Sequence, residues 1–157
     1  MPTNAGTTPK TTVRTKVSAV SESHSRTLLK ARDLIDIADE PEARGGTNEG
    51  FAPTEMAIAA FLACTNVIGH KVAKMHGIDI QSMEIGADAE FNRLGVTLQE
   101  EVNIPFPEIV LTIRLTTSSS DEELEALKQD LPRFCPVGKV FEQSGSKVVT
   151  NWVITKA

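Results

Sequence analysis

Apolar residues alternate with polar ones in several stretches of this chain and crowd together in one. From Thr11 to Val20, Val13, Thr15, Val17 and Ala19 share one face while Arg14, Lys16 and Ser18 share the other, the period of a strand. Two short strands are expected next, Thr27 to Ala31 and Leu34 to Ile37. Residues 39 to 50, rich in Gly, Glu, Asp and Asn, read as a loop. Pro53 suits a first helical turn and Glu55 its positive end, and good helix formers continue to Met75 before Gly77 stops them. The first half of that helix is apolar on every side. Such a helix is expected to be enclosed by protein, with its N-terminal half at the centre of the molecule.

Alternation returns at Met83, Ile85, Ala87, Ala89 and Phe91, with Glu84, Asp88 and Glu90 on the wet face. A long connection over residues 92 to 107 leads to a second alternating strand, Ile109 to Leu115. Ser120-Asp121-Glu122-Glu123 is a capping box opening a helix that carries Leu124, Leu127 and Leu131 inward and is expected to stop at Pro132. Pro136 opens a second short helix through Phe141, and a last strand runs from Lys147 to Thr155 with the only tryptophan, Trp152. The order is β-β-β-α-β-β-α-α-β. Without regular crossover helices it predicts an α+β fold, a largely antiparallel sheet around the central buried helix of residues 53 to 76.

Composition narrows the class. The chain has 157 residues, 40% apolar and 24% charged, the make-up of an ordinary globular domain. Residues 1 to 10 carry little apolar surface and read as a flexible tail ahead of a single domain over residues 11 to 157. A net charge of -5, with basic residues scattered among acids, argues against a nucleic-acid partner. The longest apolar run, Met56 to Cys64, is well short of the ~20 residues that span a bilayer, and the N-terminus has no signal-like apolar core. A cytoplasmic protein with no membrane partner is expected, and in that compartment a cysteine pair is more often catalytic than structural.

The two cysteines are the chemistry in this sequence. Cys64 ends the apolar run, where packing alone would disfavour a thiolate, and Cys135 precedes Pro136, where a helix N-terminus and Arg133 would favour one. The plain alternative is that both are small apolar side chains. His24, His70 and His76 make no metal-ligand spacing with them. Gly45-Gly46-Thr47-Asn48-Glu49-Gly50 lacks the dinucleotide spacing and is expected to let the chain pass close to a partner.

Gly45 to Met56, a helix reaching Ala63-Cys64-Thr65, and Cys135-Pro136-Val137-Gly138-Lys139 together resemble the OsmC/Ohr family, osmotically inducible protein C and organic hydroperoxide resistance protein. The resemblance covers about residues 11 to 156, including the element order and the spacing of the cysteines. It implies an intertwined homodimer with two sites at the subunit interface, and reduction of organic hydroperoxides in oxidative stress defence. Cys64 would attack the peroxide, Cys135 would resolve the sulfenic acid as a disulfide, and a dithiol, in relatives a lipoyl group, would restore both thiols. No metal, flavin or haem cofactor is implied.

Peroxidase members hold the thiolate with an Arg from the N-terminal strands and a Glu near the start of the central helix. Here Thr54 stands at the usual glutamate position and the acid is Glu55, whose nine-residue offset from Cys64 turns about 180° on a helix. A first-turn charge is its other reading. For the arginine the resemblance offers Arg26, with His24 and Arg44 as alternatives. The departure at Thr54 keeps a second function open, a binding protein of the same fold holding a small apolar or electrophilic ligand without efficient turnover. A third reading is a structural dimer whose cysteines merely pack.

Overall fold

The computed structural model describes residues 11–157, so the tail expected over residues 1 to 10 lies outside the described residues. The elements are β1 (Ser18–Ser21), β2 (Thr27–Ala31), β3 (Leu34–Ala38), a 3-10 turn (Glu42–Arg44), α1 (Pro53–His76), β4 (Ser82–Ala89), β5 (Glu108–Thr117), α2 (Asp121–Phe134), α3 (Pro136–Gln143) and β6 (Lys147–Lys156). They fall into two compact units, one ending at Thr54 and one running from Glu55 to Ala157. The α+β class read from the sequence is the class observed.

In the first unit, β1, β2 and β3 form an antiparallel sheet in that order, with Ala19 opposite Leu29 and Leu29 opposite Asp36. The strand expected from Thr11 is shorter, beginning only at Ser18. Alternation marks two faces but not a partner, and the ladder extends only as far as the five residues of β2. Asp39 organises the loop that follows. Its carboxylate accepts the N–H groups of Glu40 (2.8 Å), Thr47 (3.0 Å) and Glu49 (3.2 Å) and the Thr47 hydroxyl (2.5 Å). Gly46 lies so close to the Glu40 backbone, and Gly50 to that of Ile37, that neither site has room for a Cβ. The glycines thus let the loop approach its own chain.

In the second unit, β4 and β5 pair antiparallel with Met83 opposite Leu115, and β5 and β6 pair parallel with Ile109 opposite Val148. The parallel pair follows from connectivity, because two helices carry the chain from the end of β5 back to the start of β6. Alternate residues of β5, Ile109, Leu111, Ile113 and Leu115, are buried. One cluster joins Val72, Ala73, Ile78, Leu115, Leu124 and Leu127, and a second joins Phe61, Ile109, Leu111, Cys135 and Phe141. The connection after β4 is tied to the second cluster by aromatic contacts, Phe91 to Phe106 (5.3 Å), Phe106 to Phe141 (5.5 Å) and Phe141 to Phe61 (5.4 Å).

Two expectations change here. Helix α2 runs through Pro132 to Phe134, because Pro132 removes one donor late in the helix while Cys135 N–H still reaches the Leu131 carbonyl at 3.1 Å. Helix α1 is buried along a single line, Phe61, Thr65, Gly69, Val72 and Ala73, and not on all sides around its N-terminal half. Val67 and Met75 stand 50% and 60% exposed. By length and composition α1 is also apolar enough to cross a membrane, although the sequence contains no uninterrupted run of that length.

Candidate active site

Both thiols are free, and they meet in the second unit. Cys64 is half-buried in the middle of α1, packed against the cluster that contains Cys135. Cys135 ends α2 and caps α3, with Pro136 in the first helical position, where the absent N–H costs nothing. Its Sγ accepts the Gly138 N–H at 3.4 Å. The Cys64 thiol and the Thr65 hydroxyl also lie close enough to influence it. Thr65 is itself buried and donates its one proton to the Phe61 carbonyl at 2.9 Å.

A side chain at position 138 would put a Cβ 2.9 Å from Phe61 Cε2 and 3.4 Å from Cys135 Sγ. Glycine there is what lets the first turn of α3 close over the sulfur and against the Phe61 ring. Burial pushes the Cys135 thiol above its ordinary value; the Gly138 N–H opposes that, the Cys64 thiol adds to it, and the Thr65 hydroxyl opposes it again. The favoured thiolate expected from the helix N-terminus and Arg133 is therefore overturned by burial at 2% exposure. Arg133 is engaged elsewhere, with Asp130 at 2.6 Å and its guanidinium over the Phe134 ring.

The candidate cations belong to the first unit. Arg26 closes the turn between β1 and β2, where its carbonyl accepts the N–H groups of Glu22 and Ser23. Its guanidinium pairs with Glu22 and, through Nε, lies 2.6 Å from Glu49 without hydrogen-bond geometry. His24 Nε2 is 2.9 Å from the Gly45 carbonyl, and Arg44 pairs with Glu40 at 2.6 Å. Glu55 lies on the same uninterrupted helix as Cys64, so the half-turn between them persists. Among the described residues no cluster of His, Cys, Asp and Glu could hold a metal ion.

The family profile of OsmC-like proteins matches residues 46–151, the span that holds the end of the loop, α1, both cysteines and all of the second sheet except the second half of β6. The chain belongs to the OsmC-like protein family. Among solved structures this OsmC-like protein is similar to the OsmC-like protein of Mycoplasma pneumoniae (TM-score 0.78, 16% identity, 91% of this chain and 98% of that one). It is also similar to an organic hydroperoxide resistance protein from Elizabethkingia anophelis (0.65, 18%, 94% and 99%). A third is the organic hydroperoxide resistance protein OhrB of Bacillus subtilis (0.56, 21%, 91% and 98%). At these identities the likeness establishes the fold. No curated protein matches the sequence.

Sequence reasoning found both thiols of this OsmC-like protein but missed the groups that touch Cys135. Gly138 carried a signal, the third helical position after a Cys-Pro cap. Thr65 carried none, since its contact depends on where α3 lands on α1. Asp39 and Glu49 were visible only as loop acids.

Proposed function

We propose that this protein is a thiol-dependent peroxidase that reduces organic hydroperoxides in oxidative stress defence. The observation that carries the reading is that the two cysteines of the chain, 71 positions apart, are packed as neighbours, Cys64 against the apolar cluster that holds Cys135 and near enough to influence its thiol. The printed role of the Elizabethkingia and Bacillus neighbours, organic hydroperoxide resistance, supports the same reading.

The Cys64 thiolate attacks the terminal peroxide oxygen, the O–O bond breaks, the alcohol leaves with a proton, and Cys64 becomes a sulfenic acid. Cys135 then attacks that sulfur, water leaves, and the Cys64–Cys135 disulfide forms. A dithiol such as a lipoyl group returns two electrons and two protons. A thiolate needs a cation or donor nearby, and Arg26 is the residue we assign, with Glu55 as its proposed acidic counterpart. The cytoplasm is the compartment that keeps such a pair reduced.

Turnover of cumene or t-butyl hydroperoxide with dihydrolipoamide tests this. Cys64→Ser abolishes it, and Cys135→Ser permits attack but accumulates a sulfenic acid that dimedone traps. Wild-type protein that consumes no hydroperoxide beyond the dithiol background supports the second reading, a ligand-binding protein. The threonine at position 54 favours that alternative.

A further inference from the structure

A cleft of about 350 Å³ opens in the second unit between β6 and the three helices, and Cys135 is one of its walls. Phe61, Leu111, Leu131, Val148 and Trp152 make the rest of its surface largely apolar. The charged residues that border it, Lys128 and Glu142, are of opposite sign, so a neutral occupant suits it better than a charged one. Cys64 does not border this cleft, although it is the more exposed of the two thiols. The two sulfurs therefore face different approaches.

Resting on the disulfide chemistry above, we propose that the cleft is the entry port for the reductant, a neutral alkyl-chain thiol, and that it attacks the disulfide at Cys135. Displacement at a disulfide sulfur depends on which sulfur the thiolate can reach and on which leaves more readily. The cleft gives an alkyl thiol access to Cys135 along an apolar wall. A thiol held above its ordinary value is also a poor leaving group, and Cys135 is held there by burial, which disfavours attack that would expel it.

The step balances. The reductant thiolate forms a bond to Cys135 Sγ, the Cys64–Cys135 bond breaks, and Cys64 leaves with the electron pair and takes a proton from solvent. The second thiol of a dithiol then attacks the reductant sulfur of the mixed disulfide. Cys135 leaves, the Gly138 N–H offsetting part of the cost of its burial, and is protonated as the cyclic disulfide departs, a step that the intramolecular attack of the second thiol drives. Peroxide and reductant thus use opposite ends of one disulfide.

A monothiol stops at the mixed disulfide and reports the sulfur attacked. The full-length protein is oxidised with one equivalent of t-butyl hydroperoxide and given a brief pulse of 1-hexanethiol. It is then quenched with excess N-ethylmaleimide and mapped by peptide mass spectrometry. The expected product carries the hexylthio group on Cys135 and maleimide on Cys64, in about tenfold excess over the reverse. The adduct on Cys64, or no preference, overturns the inference while leaving the peroxidase reading intact. Absence of the disulfide before the pulse overturns both. In the same oxidised protein, 1-hexanethiol is expected to reduce the disulfide at least about tenfold faster than 2-mercaptoethanol, the gain from burying about two methylenes. Equal rates would show that no apolar port is used.

Discussion

Gly138 turns the sequence Cys135-Pro136-Val137-Gly138 into a site, since its N–H reaches the sulfur and its missing side chain admits the Phe61 ring. Gly138→Ala is expected to lower stability by about 1–3 kcal/mol, the cost of overpacking, because the ring and the sulfur must both shift. Urea denaturation checks this, and an unchanged midpoint would contradict the tight packing. Arg26→Ala is expected to slow sulfenic acid formation by roughly tenfold or more if its guanidinium favours the Cys64 thiolate. Stopped-flow oxidation of Cys64 measures it, and an unchanged rate moves that role to His24 or Arg44. Asp39 sets a pH dependence of the loop before α1. The Thr47 hydroxyl holds its carboxyl well below the usual carboxylate range against the opposing effect of burial, helped by the Glu49 N–H. A depressed carboxylate stabilises the fold fully above the unfolded value near 4 and loses that contribution as pH falls through the folded value. Urea midpoints at about pH 7 and about pH 3 should converge in Asp39→Asn relative to wild type; an equal pH slope in both proteins would contradict this role.

At the scale of elements, α2 shows which signals survive from sequence to structure. Ser120 caps the helix, with its N–H bonded to Glu123 at 2.7 Å and its hydroxyl accepting the Glu123 N–H at 3.3 Å. Ser120→Ala is expected to cost about 1 kcal/mol by loss of that cap, readable in the thermal midpoint. The capping box, the Leu124, Leu127 and Leu131 face and the alternation in β4 and β5 were legible because each depends on residues a few positions apart. The first strand was overread because alternation says nothing about the length of the partner strand. Pro132 was overread because a late proline removes one donor without ending the helix. The raised Cys135 thiol was hidden because the helix N-terminus is a local signal, whereas burial by Phe61 and Phe141 joins residues 80 positions apart.

For the whole molecule, α1 poses the largest question. Only 28% of its most apolar window is buried within the chain, and Val67 and Met75 stand exposed on a helix that a soluble fold would cover. We propose that a second copy covers that surface, in the homodimer the family resemblance implies. Sedimentation at micromolar concentration is expected to give about 34 kDa, twice the 17.0 kDa chain, and a monomer would contradict the assignment. The fold could be read from the sequence because element order and the two cysteine motifs are local. The cation proposed to favour the Cys64 thiolate could not, because Arg26, His24 and Arg44 all carry suitable charge and sequence spacing does not choose among them. The central claim is that Cys64 and Cys135 form one redox pair, and the direct measurement is intact-mass and peptide mass spectrometry of the native protein after one equivalent of organic hydroperoxide. The account predicts loss of two hydrogens per chain and a cross-linked peptide joining Cys64 to Cys135, reversed by dithiol; two unchanged thiols, or a sulfonic acid on one cysteine alone, would contradict it.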